Sequence, residues 1–422
     1  MYKAPRGTSD ILPQEQGYWR YIEEKASSLC QLYGYERIDT PVFEDARLFV
    51  RTIGPATDIV EKETYTFEDR GGDPMTLRPE GTAPICRAYI EHGMHNLPQP
   101  VRLYYFASIF RYERPQKGRY RQHQQFGIEA LGGSDPALDA EVVDMAWQFF
   151  ASLSLGHLRL LLNSIGCKLC RPKYLERLTG YYGEHISSLC PDCKQRLKRN
   201  PLRLLDCKKP SCYGIAESAP RSIDYLCPQC EQHFESVIGY LSLLGIPFEQ
   251  NHRLVRGLDY YTRTVFEIQP QGEEGAQTAL GGGGRYDDLI EELGGKPTPA
   301  IGFAVGMDRI VLNVKKQGSS TPVTSGFMIF VAYLGEKAKA EAVKLTAELR
   351  RAGIAAIYSF GDRSLKAQLR QANTLGSAYA LILGEEEVKS GTVVLRDMAK
   401  GEQRTVPIGE LVGLLAQGNP EI

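Results

Sequence analysis

Apolar residues recur at helical and at strand-like spacings along the first third of the chain. Over Pro13–Tyr33 they return every three or four positions, which predicts an amphipathic helix that stops at Gly34. Val101–Glu113 and His123–Leu131 are dominated by aliphatic and aromatic residues and predict two long strands. The basic loop Arg114–Arg121 joins them, so the pair is expected to line one face of a sheet.

The C-terminal part of the chain alternates between strand and helix patterns. It follows Lys315–Gly326, whose Ser, Gly, Thr and Pro residues are typical of a linker. The pattern predicts strand Phe327–Tyr333, helix Glu336–Ala352, strand Ile354–Phe360, helix Ser364–Ala372 and strand Ala378–Leu383, then two short strands and a final helix. This order predicts a small α/β domain. Its residues do not suggest catalysis, so a recognition role is expected.

Polar and aromatic residues are concentrated in Arg256–Glu267, with the sequence RGLDYYTRTVFE. The end of this segment predicts a strand because it is rich in β-branched and aromatic residues. The side chains that precede the strand could form the floor of a ligand site, or they could face water on a hairpin. Farther along, Gly281–Gly284 would allow a close approach of backbone to a bound substrate. The Lys-Ser/Thr pair of a phosphate-binding P-loop is missing there.

Two other places combine a strand end with ionisable side chains. Glu80 lies where a predicted strand passes into a helix, so it could face a ligand or, together with Thr82, cap the helix. Arg111 and Glu113 are two positions apart on a strand and therefore share a face. The arginine could grip a phosphate through its planar fork, or both residues could form cross-strand ion pairs.

Composition narrows the class of protein. The chain has 422 residues, a formal net charge of −1, 42% hydrophobic and 24% charged residues, as in soluble globular proteins. No apolar run approaches the roughly 20 residues that span a bilayer, and the N-terminal residues have no apolar core of a secretory signal, so a cytoplasmic location is expected. The near-neutral charge argues against indiscriminate nucleic-acid binding, but Cys167–Cys212 holds eleven Lys/Arg and four Asp/Glu, which indicates a local basic surface.

Eight of the ten cysteines occur in closely spaced pairs, and this spacing is typical of zinc-binding turns. A redox role is the alternative, although a redox CxxC more often stands alone. Eight thiolates could complete two four-cysteine sites, and a single site is also possible. Sequential and interleaved pairing both remain open. The candidate ligands are Cys167, Cys170, Cys190, Cys193, Cys207, Cys212, Cys227 and Cys230, whereas Cys30 and Cys86 stand alone and are expected to be buried thiols.

Five segments in order resemble the motifs of bacterial histidyl-tRNA synthetases. RGLDYYTRTVFE and ALGGGGRYDDL resemble the two signature motifs of that family. The Pro13–Pro41 segment, FRYERPQKGRYRQHQQFGIEALG and AIGFAVGMDRI resemble motifs 1, 2 and 3 of class II aminoacyl-tRNA synthetases. The resemblance implies an α+β fold: an antiparallel sheet flanked by helices and a C-terminal α/β anticodon-binding domain. The cysteine spacing adds a cysteine-rich, zinc-binding insertion to this fold. The expected boundaries are 1–165 and 236–316 for the catalytic domain, 166–235 for the insertion, 317–326 for the linker and 327–422 for the anticodon-binding domain.

The resemblance also implies a reaction and its participants. The carboxylate of L-histidine attacks the α-phosphorus of ATP, and the resulting histidyl-adenylate then transfers its histidyl group to tRNA-His. ATP with Mg²⁺, tRNA-His and a second copy of the chain in a homodimer are therefore the expected partners. A structural zinc is expected from the cysteine spacing alone, because the insertion is not cysteine-rich in the best-known members of the family.

The resemblance assigns roles to individual residues. Arg256 and Arg111 would act on the reacting α-phosphate. The histidine-binding residues would be Glu80, Thr82, Gln125, Glu129, Tyr261 and Tyr286; the ATP-binding residues Arg111, Glu113, Arg119 and Arg309; and the tRNA-binding residues Arg114 and Gln116. The basic excess of the insertion suggests contact with the tRNA acceptor arm. The rival hypothesis is a non-charging paralogue, the regulatory subunit of ATP phosphoribosyltransferase, which typically lacks the anticodon domain and has eroded signature motifs.

Overall fold

A computed structural model describes residues 2–54, 59–113, 119–272, 279–317 and 328–416. The chain divides into two compact units, Met1–Pro322 and Val323–Ile422. None of the described helices is both long and apolar enough to cross a membrane.

The first unit combines long strands with helices on both sides. Its helices are α1 Gln16–Leu32, α2 Ala46–Ile53, α3 Thr82–Glu91, α4 Pro136–Ser152, α5 Arg171–Glu184, α6 Pro191–Arg199, α7 Pro210–Glu217, α8 Pro228–Leu243, α9 Leu289–Glu292 and α10 Met307–Lys316. Its strands are β1 Glu36–Arg37, β2 Phe43–Asp45, β3 Tyr65–Glu68, β4 Pro74–Leu77, β5 Val101–Phe110, β6 Gln122–Leu131, β7 Leu158–Ser164, β8 Glu249–Gln250, β9 Thr262–Pro270, β10 Gly281–Arg285 and β11 Ala300–Gly306.

Eight of these strands form one sheet in the order β1-β5-β6-β11-β10-β9-β7-β8. Every neighbouring pair from β5 to β7 is antiparallel, and only the short edge strands β1 and β8 pair in parallel. The predicted hairpin of two long strands is confirmed as β5–β6. However, β5 ends at Phe110, so Arg111 and Glu113 follow the strand and do not lie on it as expected. A separate small sheet has the order β2-β4-β3.

The large sheet separates two apolar cores because successive side chains of a strand point to opposite faces. Tyr104 of β5 lies in the core that α1, α4, α8 and α10 cover. Its neighbours Leu103 and Tyr105 lie in the other core. That second core continues into the cysteine-rich segment, so the apolar residues of the insertion pack with the same face of the sheet that carries Tyr261.

Two helices of the first unit start or stop at recognisable residues. The helix α8 begins at Pro228, directly after Cys227 of the last cysteine pair. The helix α9 is a single turn, and Gly294 follows it with a positive φ of 94°.

The second unit has the predicted α/β alternation. It comprises β12 Met328–Tyr333, α11 Glu336–Arg351, β13 Ala355–Tyr358, α12 Leu365–Thr374, β14 Tyr379–Leu383, α13 Glu385–Ser390, β15 Thr392–Asp397, β16 Gln403–Pro407 and α14 Ile408–Ala416. Its sheet has the order β13-β12-β14-β15-β16, in which the first three strands are parallel and the last two antiparallel. Most of the predicted linker lies outside the described residues.

Candidate active site

A cavity of about 250 Å³ opens on the face of the large sheet. It is lined by strands that are distant in sequence but adjacent in the sheet, together with the start of α3. Eleven of the predicted site residues surround it: Glu80, Thr82, Arg111, Glu113, Arg119, Gln125, Glu129, Arg256, Tyr261, Tyr286 and Arg309. The two predicted tRNA-binding residues, Arg114 and Gln116, lie outside the described residues.

One part of the cavity is built around two buried carboxylates. Glu129 on β6 accepts hydrogen bonds from Thr82 Oγ1, at 2.7 Å, and from the hydroxyl of Tyr286. Glu80 accepts from the backbone N–H groups of Thr82 and Ala83, both at 2.7 Å, at the N-terminus of α3. The capping alternative for Glu80 is therefore real, and Glu80 also lines the cavity.

Burial raises the pKa of both carboxyl groups. For Glu129, desolvation and the nearby charge of Glu80 raise the pKa to about 8, against the opposing effect of the hydrogen bonds from Tyr286 and Thr82. For Glu80, desolvation raises the pKa, while the backbone N–H groups and Arg111 act in the opposite direction. Two buried carboxylates this close can accept ligand N–H groups, and a cationic ligand would stabilise their ionised forms.

Another part of the cavity is cationic. Arg256 donates from Nη1 to Glu267 Oε2 at 2.6 Å, and its buried Nε has no hydrogen-bond partner among the described residues. Although burial alone would lower it, the carboxylate of Glu267 raises the pKa of Arg256. Arg111 donates to the carbonyl of Pro79 at 2.7 Å, so its position is also fixed by the backbone.

The remaining predicted ATP ligands lie beside these cations. Arg119 pairs with Glu113 at 3.0 Å. Arg309, from α10, is close enough to Arg119 for their mutual repulsion, after desolvation, to lower its pKa. Burial, Arg111 and Arg309 together lower the pKa of His123 to about 3, so this side chain is neutral. A cavity wall with this excess of positive charge is suited to phosphate groups.

The glycine run forms β10, and its lack of side chains gives room to the functional residues. A Cβ on Gly282 would lie 2.9 Å from Arg256 Nη1 and 2.6 Å from the carbonyl oxygen of Phe266. A Cβ on Gly284 would lie 3.0 Å from the ring of Tyr261. Gly281 and Gly282 also line the cavity. Close packing against Arg256 and Tyr261 therefore requires glycine at these positions, and the close approach to a substrate stays a prediction.

Several cavity residues had no assignment from the sequence. Tyr105 fills the space beside two glycines, Gly81 and Gly127, and donates to Gln125 at 3.3 Å. Glu267 does not line the cavity, but it accepts a hydrogen bond from Arg256, eleven positions earlier, and this spacing gave no signal in the sequence. Tyr260 is buried and lines the cavity, with its hydroxyl 3.5 Å from Glu80.

The paired cysteines converge into two groups of four thiols. Cys167, Cys170, Cys227 and Cys230 form an outer cluster, and Cys190, Cys193, Cys207 and Cys212 an inner cluster, with the sulfurs of each cluster within 4.8 Å of one another. The first cysteine pair therefore joins the last pair, and the two middle pairs join each other. This nested pairing is neither the sequential nor the interleaved alternative. Cys30 and Cys86 are buried free thiols, as expected.

An antiparallel sheet that carries arginines and carboxylates around one cavity is the arrangement of class II aminoacyl-tRNA synthetases. The sequence profile of histidyl-tRNA synthetase matches residues 7–168 and 227–310, and that of the anticodon binding domain matches 328–417. The chain belongs to the histidyl-tRNA synthetase family.

Two relatives and a solved structure are similar to this chain over nearly its full length. The chain is 59% identical to a histidine--tRNA ligase of Dehalococcoides mccartyi over 98% of both chains, and 48% identical to one of Geobacillus thermodenitrificans over 99% of this chain and 98% of that one. The crystal structure of apo Staphylococcus aureus histidyl-tRNA synthetase is 39% identical, with a TM-score of 0.83 and coverage of 98% of this chain and 99% of that chain.

A more distant structure shares the fold alone. It is an ATP phosphoribosyltransferase regulatory subunit/histidyl-tRNA synthetase from Bacillus halodurans, at 21% identity and a TM-score of 0.63 over 91% of this chain and 97% of that chain.

Proposed function

We infer that this chain ligates L-histidine to tRNA-His through a histidyl-adenylate, with release of pyrophosphate and AMP. The observation that carries this inference is that one cavity brings two buried carboxylates together with arginines of three separate segments. Family membership and 48–59% identity to histidine--tRNA ligases over nearly the whole chain support the same activity.

The first step is the attack of the histidine carboxylate on the α-phosphorus of ATP. Negative charge grows on the α-phosphoryl oxygens in the transition state, and the protein contributes mainly by positioning and electrostatics. Arg256 and Arg111 supply fixed cations to these oxygens. Glu113 receives the adenine, while Arg119 and Arg309 bind the other phosphates. Mg²⁺ would accompany the β- and γ-phosphates and shield their charge, held mainly through the substrate's own oxygens.

Histidine is recognised through hydrogen bonds at both of its ends. Glu80, Thr82 and Gln125 bind its amino and carboxylate groups, while Glu129 and Tyr261, with Tyr286 beside them, bind the imidazole. Because these polar groups are buried, an apolar amino acid of similar size would leave them unpaired and would be rejected.

The remaining assignments concern tRNA-His and the dimer. Arg114 and Gln116 contact the acceptor end, the basic insertion contacts the acceptor arm, and the C-terminal unit binds the anticodon. The homodimer forms through motif 1. Exposed apolar side chains of the small sheet, Phe43 and Phe67, and of Val42 just before it support an interface in this region.

The regulatory-paralogue hypothesis is less supported. That class typically lacks the anticodon domain, whereas the anticodon-binding profile matches here. The residues proposed to bind histidine and ATP also line one cavity, which supports the charging enzyme.

The function is tested by histidine-dependent exchange of pyrophosphate into ATP, followed by charging of tRNA-His. Exchange with histidine, no exchange with phenylalanine, and charging of tRNA-His are expected. Exchange without charging would instead identify a protein that stops at the adenylate, and the absence of exchange would contradict the enzyme assignment.

We also propose a structural zinc in each cysteine cluster. Tetrahedral zinc with Zn–S bonds of about 2.3 Å requires sulfurs about 3.8 Å apart. Cys167 Sγ lies 3.8 Å from Cys170 Sγ and 3.9 Å from Cys227 Sγ, far beyond disulfide length. The donor set and its spacing therefore fit zinc, which would cross-link the two ends of the insertion at the outer site and an internal loop at the inner site.

Elemental analysis is expected to find two zinc ions per chain. Replacing both Cys190 and Cys193 with serine removes two of the four inner ligands and should reduce the content to one. The matched change of Cys30 and Cys86 to serine, outside both clusters, should leave two ions bound. A wild-type content below one zinc per chain would refute the metal sites.

A further inference from the structure

The inner loop of the insertion touches the signature segment beside Arg256. Asn200 donates from its amide Nδ2 to Asp259 Oδ1 at 2.5 Å. Arg203 donates from Nη1 to the backbone carbonyl of Gly257 at 3.2 Å. Both acceptors lie within three residues of Arg256, in the loop between the buried residue Val255 and strand β9.

Other contacts fix the same loop at further points. Arg171, on the first helix of the insertion, donates to the backbone carbonyl of Tyr261 at 2.5 Å. From the catalytic side, the backbone N–H of Asp259 donates to the carbonyl of Ile53 at 3.3 Å. The loop that carries Arg256 and Tyr261 is therefore held between the catalytic body and the insertion.

The two inner-loop donors lie between two ligands of one cluster. Cys193 and Cys207 both belong to the inner cluster. The chain between them, which carries Asn200 and Arg203, therefore begins and ends at the same cluster. The segment includes the end of α6 and a 3₁₀ turn, Pro201–Leu204, and its apolar residues join the core on the face of the sheet that carries Tyr261. Its side chains are thus presented from a closed, packed loop.

We propose that Asn200 and Arg203 are positioning residues for adenylate formation. They hold the Gly257–Asp259 backbone so that the guanidinium of Arg256 stays aimed at the reacting phosphate. The proposal rests on the proposed role of Arg256, and it gives the insertion a part in the first step of the reaction, which needs no tRNA. Contact with the acceptor arm alone would affect only the second step.

The test measures histidine-dependent pyrophosphate exchange without tRNA. The double variant Asn200→Ala/Arg203→Met removes both donors but keeps the aliphatic stem of the arginine. Its kcat should fall roughly tenfold or more, because small displacements of a catalytic group are costly, while the KM for ATP changes less than about threefold. The control Arg177→Ala, at an exposed arginine of α5 in the same insertion, should keep the wild-type kcat.

A donor–acceptor swap separates positioning from general support of the fold. Asn200→Asp alone places two carboxylates against each other and should lower kcat. Adding Asp259→Asn restores one donor and one acceptor, and should return kcat to within about threefold of wild type. Unchanged kcat in the Asn200→Ala/Arg203→Met variant would overturn the proposal. A swap variant that is folded, as judged by thermal unfolding, but whose kcat is not restored would also overturn it.

Arg256→Ala is measured alongside these variants. If it retains wild-type kcat, the proposed role of Arg256 fails, and with it the reason for positioning this loop. If it loses activity while the Asn200/Arg203 variant does not, only the positioning proposal fails.

Discussion

Replacing Arg256 with alanine is expected to lower kcat for histidine-dependent pyrophosphate exchange roughly 10²–10³-fold. The guanidinium is held by Glu267 at 2.6 Å and lies against the glycine strand, so it is oriented before the substrate binds. A cation fixed in this way costs no reorganisation when charge develops on the α-phosphoryl oxygens. Its removal therefore raises the barrier of the chemical step more than it weakens substrate binding.

The measurement must separate kcat from KM. Arg256→Lys keeps the charge but not the fork, and its ammonium can satisfy Glu267 only by giving up the phosphate, so it should recover less than about a tenth of the lost rate. Arg177→Ala, at the exposed arginine of α5, is again the matched control and should behave as wild type. A normal kcat with raised KM values would show that Arg256 binds the ground state and would contradict its catalytic role.

The sequence alone was sufficient to locate the strands and motif residues of the site, because each of them has a local signal. Strand and helix patterns located the hairpin β5–β6 and the loop before β9, and the motif resemblance selected eleven residues that the fold brings around one cavity. These signals lie within short stretches of chain, where side-chain type and spacing carry the information.

Partners that are distant in sequence could not be found in this way. Arg285, the residue after the glycine run, is completely buried and pairs with Asp139, 146 positions away. His233 bonds to the same carboxylate at 2.8 Å. Burial would raise the pKa of Asp139, but Arg285 and His233 lower it below its usual range. The nested pairing of the cysteines could not be found from the sequence either, because only the folded chain determines which pairs meet.

Glu129→Gln is expected to weaken histidine binding strongly and to remove its pH dependence. Burial raises the pKa of Glu129 to about 8, and an imidazole N–H donor favours the ionised carboxylate. The KM for histidine should therefore fall as pH rises from about 6.5 toward 8, by up to about tenfold for each pH unit, and then level off. The amide cannot ionise, so the variant should have a KM raised about a hundredfold or more and flat across this range.

The same substitution should stabilise the ligand-free protein at high pH. A carboxyl group whose pKa rises from 4.5 to about 8 on folding contributes stability that is fully present below pH 4.5 and is lost as pH rises through 8. Because a tenfold change in proton affinity corresponds to about 1.4 kcal/mol, Glu129→Gln should gain up to a few kcal/mol near pH 8.5, and the gain should shrink as the pH is lowered. Thermal unfolding at about pH 6 and pH 8.5 measures this difference, with Glu235→Gln at an exposed site of α8 as the control. The stabilisation of the variant relative to wild type should be larger at the higher pH. If it is not, Glu129 is already ionised in the empty site, and the selectivity for histidine cannot depend on proton release from Glu129.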